Sequence, residues 1–341
     1  MNSSKRLSTL IFVGFCLVIL ILFGNTAIEG AKNGINICLQ TVIPSLFPFL
    51  FLSSILTGSL SATGHQRSSV VCRLYSIPKG SQGILLTGLL GGYPVGAKCV
   101  GDAVSQSKLS PADAERMIVF CNAIGPSFLF GMIGSIFTQN WVPWCLWCIH
   151  LLSGIYVARL SGTSDLSVVQ IVTSHTQSIP QQLKQAIRVM SEICSWVILM
   201  RIVITVLRQL CLYHLPAFSL VLITGILEIS NGCIALTEVG NIGLRFILSA
   251  VFLNFGGLCV ALQTLSVSGG IKQRYYLPGK ILQALFGFVV AYIVQRFAFP
   301  HGDQIHLPLA FHVILIFVAS LYIYSRVRMK KRCGILDRIG V

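Results

Sequence analysis

Few residues in this chain can do chemistry, and most of them stand in apolar surroundings. Glu228 lies in Thr224-Gly225-Ile226-Leu227-Glu228-Ile229-Ser230-Asn231-Gly232, with no charged neighbour in sequence. A charged side chain at the centre of a bilayer costs on the order of 2.5 kcal/mol, so its default reading is functional. It binds a proton or cation, or accepts a substrate hydrogen bond; the bland alternative is a pair with a basic side chain. Lys98 closes Leu86-Thr87-Gly88-Leu89-Leu90-Gly91-Gly92-Tyr93-Pro94-Val95-Gly96-Ala97-Lys98, a stretch with four glycines and a proline at membrane depth. It either neutralises an anionic substrate or snorkels to the interface. Asn122 and Asn254 suit a carboxylate or ring nitrogen, and equally suit interhelical hydrogen bonding. Tyr93 can stack on an aromatic ring or fill the tip of a turn. The candidate substrate-binding set is Gly92, Tyr93, Pro94, Gly96, Lys98, Asn122, Glu228, Ser230, Asn231 and Asn254. Two other charges stay open: Arg116 makes a second anion contact or pairs with Asp113 or Glu115, and Glu192 is functional or an i, i+4 partner of Arg188.

Composition says what must hold these residues. The chain has 341 residues, 54% hydrophobic and 10% charged, with a mean hydropathy of +0.80. Soluble domains carry about 25% charged residues, so the expectation is an integral membrane protein. The net charge of +15 sits in short loops and a basic C-terminal tail. That pattern reads as membrane orientation and argues against nucleic-acid binding. The twelve cysteines are scattered through apolar runs, where free cysteine packs as a small hydrophobe; Cys145-Leu146-Trp147-Cys148 has redox spacing but lacks a soluble redox domain around it. H-E-x-x-H, G-x-S-x-G and P-loop patterns are missing and the seven histidines are dispersed. The expectation is therefore no enzyme, no metal and no cofactor.

The elements follow from apolar runs and their interruptions. A retained first span is expected over Leu7–Phe23, with the N-terminus cytoplasmic. A second is expected over Ile35–Leu60, bent by Pro44 and Pro48 near its start. The glycine-rich stretch breaks the segment Gly83–Val104. Ser110-Pro111-Ala112-Asp113 reads as a helix start, with serine as cap and proline in the first position; that helix runs to about Phe137, interrupted at Asn122 and Gly125-Pro126. Trp141, Trp144 and Trp147 mark the next boundary, and a span to about Arg159 follows. Further spans are expected over Ala186–Leu210, Phe218–Val239, Leu244–Ser268, Ile281–Phe299 and Leu309–Tyr324. Five regions result: an N-terminal helix (1–34), a first repeat (35–160), a polar connector (161–185), a second repeat (186–300) and a terminal helix with a basic cytoplasmic tail (301–341).

The repeat rests on two short matches in the same order. Thr87-Gly88-Leu89-Leu90 matches Thr224-Gly225-Ile226-Leu227, and Phe120-Cys121-Asn122-Ala123-Ile124-Gly125 matches Phe252-Leu253-Asn254-Phe255-Gly256-Gly257. If the two broken segments are re-entrant hairpins, the loops near Arg67, Arg159 and Lys272 all fall inside and the Asp303 loop outside. The hairpins then enter from opposite faces. The fold expected is an all-α polytopic membrane protein of about eight transmembrane helices plus two re-entrant hairpins in an inverted repeat, as in many transporters.

Gly92-Tyr93-Pro94-Val95-Gly96-Ala97-Lys98, Glu115-Arg116, Asn122-Ala123-Ile124-Gly125-Pro126, Pro44-Ser45-Leu46-Phe47-Pro48-Phe49 and Leu227-Glu228-Ile229-Ser230-Asn231-Gly232 together resemble the YlbJ-type sporulation integral membrane proteins, as does Phe255-Gly256-Gly257. The resemblance implies two Gate (nucleoside-recognition) domains, related to concentrative nucleoside transporters. It also implies movement of dipicolinic acid from mother cell towards forespore, across the outer forespore membrane. The partners expected are a small anionic or heteroaromatic substrate, a coupling proton or sodium ion, and the bilayer. A nucleoside or other metabolite permease and a non-transporting sporulation scaffold remain alternatives.

Overall fold

The computed structural model describes residues 3–44, 46–48, 50–52, 55, 70–162, 178–210 and 214–305, and these are all helix, turn or coil. The expected terminal span Leu309–Tyr324, the basic tail, the Arg67 loop and most of the polar connector lie outside the described residues. Five described runs are long and apolar enough to cross a membrane: Pro111–Ile136, Val142–Leu160, Ile179–Leu210, Ile242–Val267 and Tyr276–Ala298. Val13–Leu22 with Gly24–Val42 makes a sixth if that pair, bent by 94°, is one span. The chain is a polytopic α-helical membrane protein.

The beginning differs from expectation. Helix α1 (Ser3–Leu22) ends at Phe23, and α2 (Gly24–Ile37) starts well before Ile35. The polar stretch Gly24–Lys32 becomes helix because it packs on α7 (Ile179–Leu210). A Cβ at Gly30 would come within 2.9 Å of the Ile202 Cα, and one at Gly34 within 2.9 Å of the Ile198 Cα. Small residues at this spacing let two backbones approach closely in a membrane. Pro44 therefore acts far from the helix start. The chain ahead of it widens into a π turn, Cys38–Val42, a form that accommodates the hydrogen bond proline cannot make.

In the first half, α3 (Gln82–Gly91) and α4 (Val95–Ser105) pack together around a Gly92-Tyr93-Pro94 tip whose Tyr93–Pro94 bond is cis. Ten apolar residues at 1.5 Å each reach only about half of a 30 Å hydrocarbon core. Next comes α5 (Pro111–Cys121). Its Ser110 cap accepts from the Asp113 backbone N–H at 3.1 Å, with Pro111 in the first turn as expected. The helix breaks at Asn122–Gly125 and resumes over Pro126–Ile136, and α6 (Val142–Leu160) follows.

After α7, the second half has the same order of elements. The short α8 (Ala217–Leu227) and α9 (Ile229–Ala235) meet at Glu228. Helix α10 (Ile242–Phe255), started by an Asn241 cap, breaks at Gly256-Gly257 into α11 (Gly257–Val267). Helix α12 (Tyr276–Ala298) then packs along α10 and α6. Both glycines of the second break have positive φ, 83° and 82°, which a side chain rarely tolerates. Three apolar clusters form the core of the described residues. The first gathers Leu85, Val100, Met117 and Phe120, the second gathers Ile124, Met132, Phe246 and Leu253, and a smaller third gathers Val221, Leu236 and Phe252. Asn122 interrupts the chain where it passes from the first cluster to the second.

Candidate functional site

The site begins with a backbone problem. An unwound segment at membrane depth strands carbonyls and N–H groups where water cannot serve them, so other protein groups must. At the first break the Asn122 carbonyl accepts from Lys280 Nζ at 2.8 Å, and the Ile124 N–H donates to His150 Nε2 at 3.2 Å. That second bond fixes the imidazole. Because a backbone N–H can only donate, Nε2 carries the lone pair, and Nδ1–H donates to Asn254 Oδ1 at 3.1 Å. Asn254 in turn donates from Nδ2 to the Ala250 carbonyl at 2.8 Å. His150 thus ties the first break to the end of α10, beside the second break.

Asn122 donates from Nδ2 to Thr264 Oγ1 at 2.6 Å and to the Tyr276 hydroxyl at 3.0 Å. Its Oδ1 is buried without a hydrogen-bond partner among the described residues. Tyr93, at the tip of the first hairpin, donates its hydroxyl to the Leu253 carbonyl at 3.3 Å. The first tip therefore caps the second break.

Glu228 is the hinge of the second hairpin. Its backbone is extended (φ −150°), so it precedes α9 as a cap. Oε1 accepts from the Ser230 N–H at 2.9 Å, while Oε2 accepts from the Asn231 N–H at 2.7 Å and from Asn231 Nδ2 at 2.8 Å. A carboxylate is well placed at a helix N-terminus, where donors are unpaired and the helix dipole is positive. The pairing with a basic side chain considered above is not the one formed; the helix start does that work.

The two tips and the first break line a cavity of about 50 Å³. Gly91, Gly92 and Tyr93 come from the first tip, Glu228, Ile229 and Ser230 from the second. Ile124, Gly125, Ser127 and Phe128 come from the break, and Val260 and Gln263 from α11. Leu46, Leu50, Ile193 and Val197 complete an apolar wall. Of the residues singled out in sequence, Gly92, Tyr93, Glu228 and Ser230 line the cavity. Asn122, Asn231 and Asn254 are buried around it. Pro94 and Gly96 shape the first hairpin, Gly96 against the Cys121 carbonyl.

Lys98 does not belong with them. Its side chain is 55% exposed and pairs with Asp102 at 2.7 Å, because it lies one turn along α4 from the tip, on the open face. Arg116 pairs with Asp113 at 3.1 Å, and Arg188 with Glu192 at 3.5 Å, as their spacing suggests. Two buried residues stand here outside the candidate set. Lys280, fully buried, precedes the span expected from Ile281, yet α12 starts at Tyr276; Pro278 in its first turn is the sequence signal for that earlier start. His150 was passed over as dispersed, although an ionisable residue within an apolar run is itself a pointer. Among the described residues no three His, Cys, Asp or Glu side chains converge as a metal cage requires.

Half-length hairpins and broken helices packed around a mainly apolar cavity, among helices of membrane-crossing length, define a polytopic α-helical membrane protein. The chain is similar to the sporulation integral membrane protein YlbJ of Bacillus subtilis (strain 168), 30% identical over 145 residues. The match covers 41% of this chain and 35% of that protein, so the similarity spans about a third of the relative's length. It supports the resemblance to YlbJ-type proteins carried by the motifs above. No family model matches the chain, and no solved structure matches it.

Proposed function

We propose that this protein is a transporter of a small anionic metabolite, with dipicolinic acid as the first candidate, moved from mother cell towards forespore across the outer forespore membrane. One observation carries the transport reading: the tips of two half-length hairpins meet at a cavity beside an unwound helix. Discontinuous helices at such a place supply unpaired backbone groups to a substrate, and repeats of opposite insertion let two halves rock around it. On this reading residues 35–160 and 186–300 are Gate-like repeats, inverted relative to each other, within about eight spans and two re-entrant hairpins. The name of the B. subtilis relative supports sporulation as the setting.

Among the described residues, Glu228 is the one ionisable carboxyl group in the cavity lining. An anion therefore enters with a proton on Glu228 or with a cation beside it, and a coupling proton or sodium ion follows from that. The test is uptake of labelled dipicolinate into proteoliposomes holding the purified chain, against uridine. Dipicolinate uptake that needs a proton or sodium gradient is expected. Uridine uptake alone would replace the proposal with a nucleoside permease, and uptake of neither would favour a non-transporting scaffold.

A further inference from the structure

Lys280 is a buried basic side chain whose backbone contact accounts for its donor but not for a charge. It is fully buried. Among the described residues no carboxylate stands within ion-pair distance of Nζ; the ion pairs involve Lys98, Arg116, Arg188 and Arg274 instead. Its partners are neutral: the Asn122 carbonyl at 2.8 Å and Gln283 Oε1 at 3.3 Å. Nζ lies over two aromatic rings, 5.3 Å from the Tyr93 centroid and 5.8 Å from that of Tyr276. Capping one carbonyl needs only a neutral donor, and burying a cation without a counter-charge is costly. Glu228, the carboxylate of the cavity, is already engaged at three donors of α9.

A second observation points the same way. Gln283 Nε2 is buried and has no hydrogen-bond partner among the described residues, while the Oε1 of the same amide faces Lys280. A buried ammonium beside an unused amide donor is a set that lacks an anionic oxygen. Tyr93 stands against both this set and the cavity, since the residue lines the cavity and its ring carries the Lys280 contact. Its one hydrogen bond, at 3.3 Å to Leu253, is long enough to be given up.

We infer that Lys280 is the charge-selecting residue of the site, receiving a carboxylate of the cargo, and that Tyr93 is the partition between it and the cavity. This rests on the transport reading and deepens it. Cargo loading displaces the Tyr93 ring, and a carboxylate oxygen then meets Lys280 Nζ and Gln283 Nε2. Lys280 acts here as a binding residue, with no covalent step.

The experiment uses the full chain, measured both for equilibrium binding in detergent and for uptake into proteoliposomes. The probes are pyridine-2,6-dicarboxylate and its neutral diamide. Wild type is expected to prefer the dicarboxylate. Lys280→Met should weaken dicarboxylate binding and uptake by at least about thirtyfold, the scale of losing one partner of a buried charge pair. The diamide should change by less than about threefold, within the neutral range of that comparison, and Lys280→Arg should restore part of the preference. Equal losses on both probes would reduce Lys280 to a structural donor and overturn the assignment, as would unchanged dicarboxylate binding. If Lys280→Met does not fold, Tyr93→Ala decides. Removing the partition should raise the dicarboxylate preference over the diamide, and an unchanged ratio would overturn the proposal. Wild-type protein that binds the dicarboxylate but carries none removes the transport reading and leaves Lys280 as the selecting residue. Wild type indifferent to the dicarboxylate in both assays overturns the inference.

Discussion

At the first break the chain runs unwound from Asn122 to Gly125, whereas at the second it turns within two left-handed glycines, Gly256 and Gly257. Glycine can reverse the backbone in two residues and strands few polar groups. Ala123 and Ile124 cannot, so the first break leaves a carbonyl and an N–H in an apolar setting. Lys280 from α12 and His150 from α6 reach across to serve them, while the second break has the Tyr93 hydroxyl at one carbonyl. Similar sequence matches thus fold into unequal sites. The first break gathers the buried ionisable side chains because its backbone needs them, and the second tip carries the carboxylate because α9 needs a cap.

The comparison is best broken at the glycines, where the effect should be largest. A Cβ on Gly96 would lie 2.6 Å from the Cys121 carbonyl carbon and 3.0 Å from the Asn122 Cα. Gly96→Ala should cost more than about 3 kcal/mol, or abolish folded protein, when melting in detergent is followed. Gly83→Ala, with nothing within 4 Å of its Cβ, should be neutral or slightly stabilising in the same assay. Next comes the first break itself. His150→Ala leaves the Ile124 N–H and Asn254 Oδ1 unserved and should cost about 2–4 kcal/mol, while Tyr93→Phe, which frees only the Leu253 carbonyl, should cost about 1 kcal/mol. Equal effects would erase the difference between the breaks. At the second tip, Glu228→Ala removes a helix cap and should lower stability by about 1–2 kcal/mol. Its uptake of dicarboxylate should be lost as well, and Glu228→Gln separates the charge from the cap. The smallest effect is expected at Lys98→Ala. Its exposed pair with Asp102 contributes at most about 0.5 kcal/mol, and uptake should stay at the wild-type level.

Much of this architecture can be read from residue order. Ser110-Pro111 starts α5 as capping chemistry requires, Pro94 stands just ahead of α4, and Gly92, Asn122 and Gly256 stand where helices stop. Those signals are local, so the chain announces them without its neighbours. What stays hidden depends on which face of a helix meets which partner. Lys98 and Lys280 are alike in hydropathy; only packing leaves one in the open and buries the other between tyrosines. Glu228 in an apolar run signals an unusual carboxylate, but its use as a cap depends on α9 starting at the next residue. Likewise Gly24–Lys32 reads as a polar loop until Gly30 and Gly34 meet α7.

Gly88 and Gly96 seat both arms of the first hairpin against one atom group, the Cys121 carbonyl, with Gly88 and Gly96 also touching each other. Neither arm has room to slide, so hairpin and α5 form a single mechanical block. On the transport reading proposed above, backbone motion at the site tilts that block as a whole while the Tyr93 ring turns upon it, and a crosslink joining the hairpin to α5 should leave uptake intact.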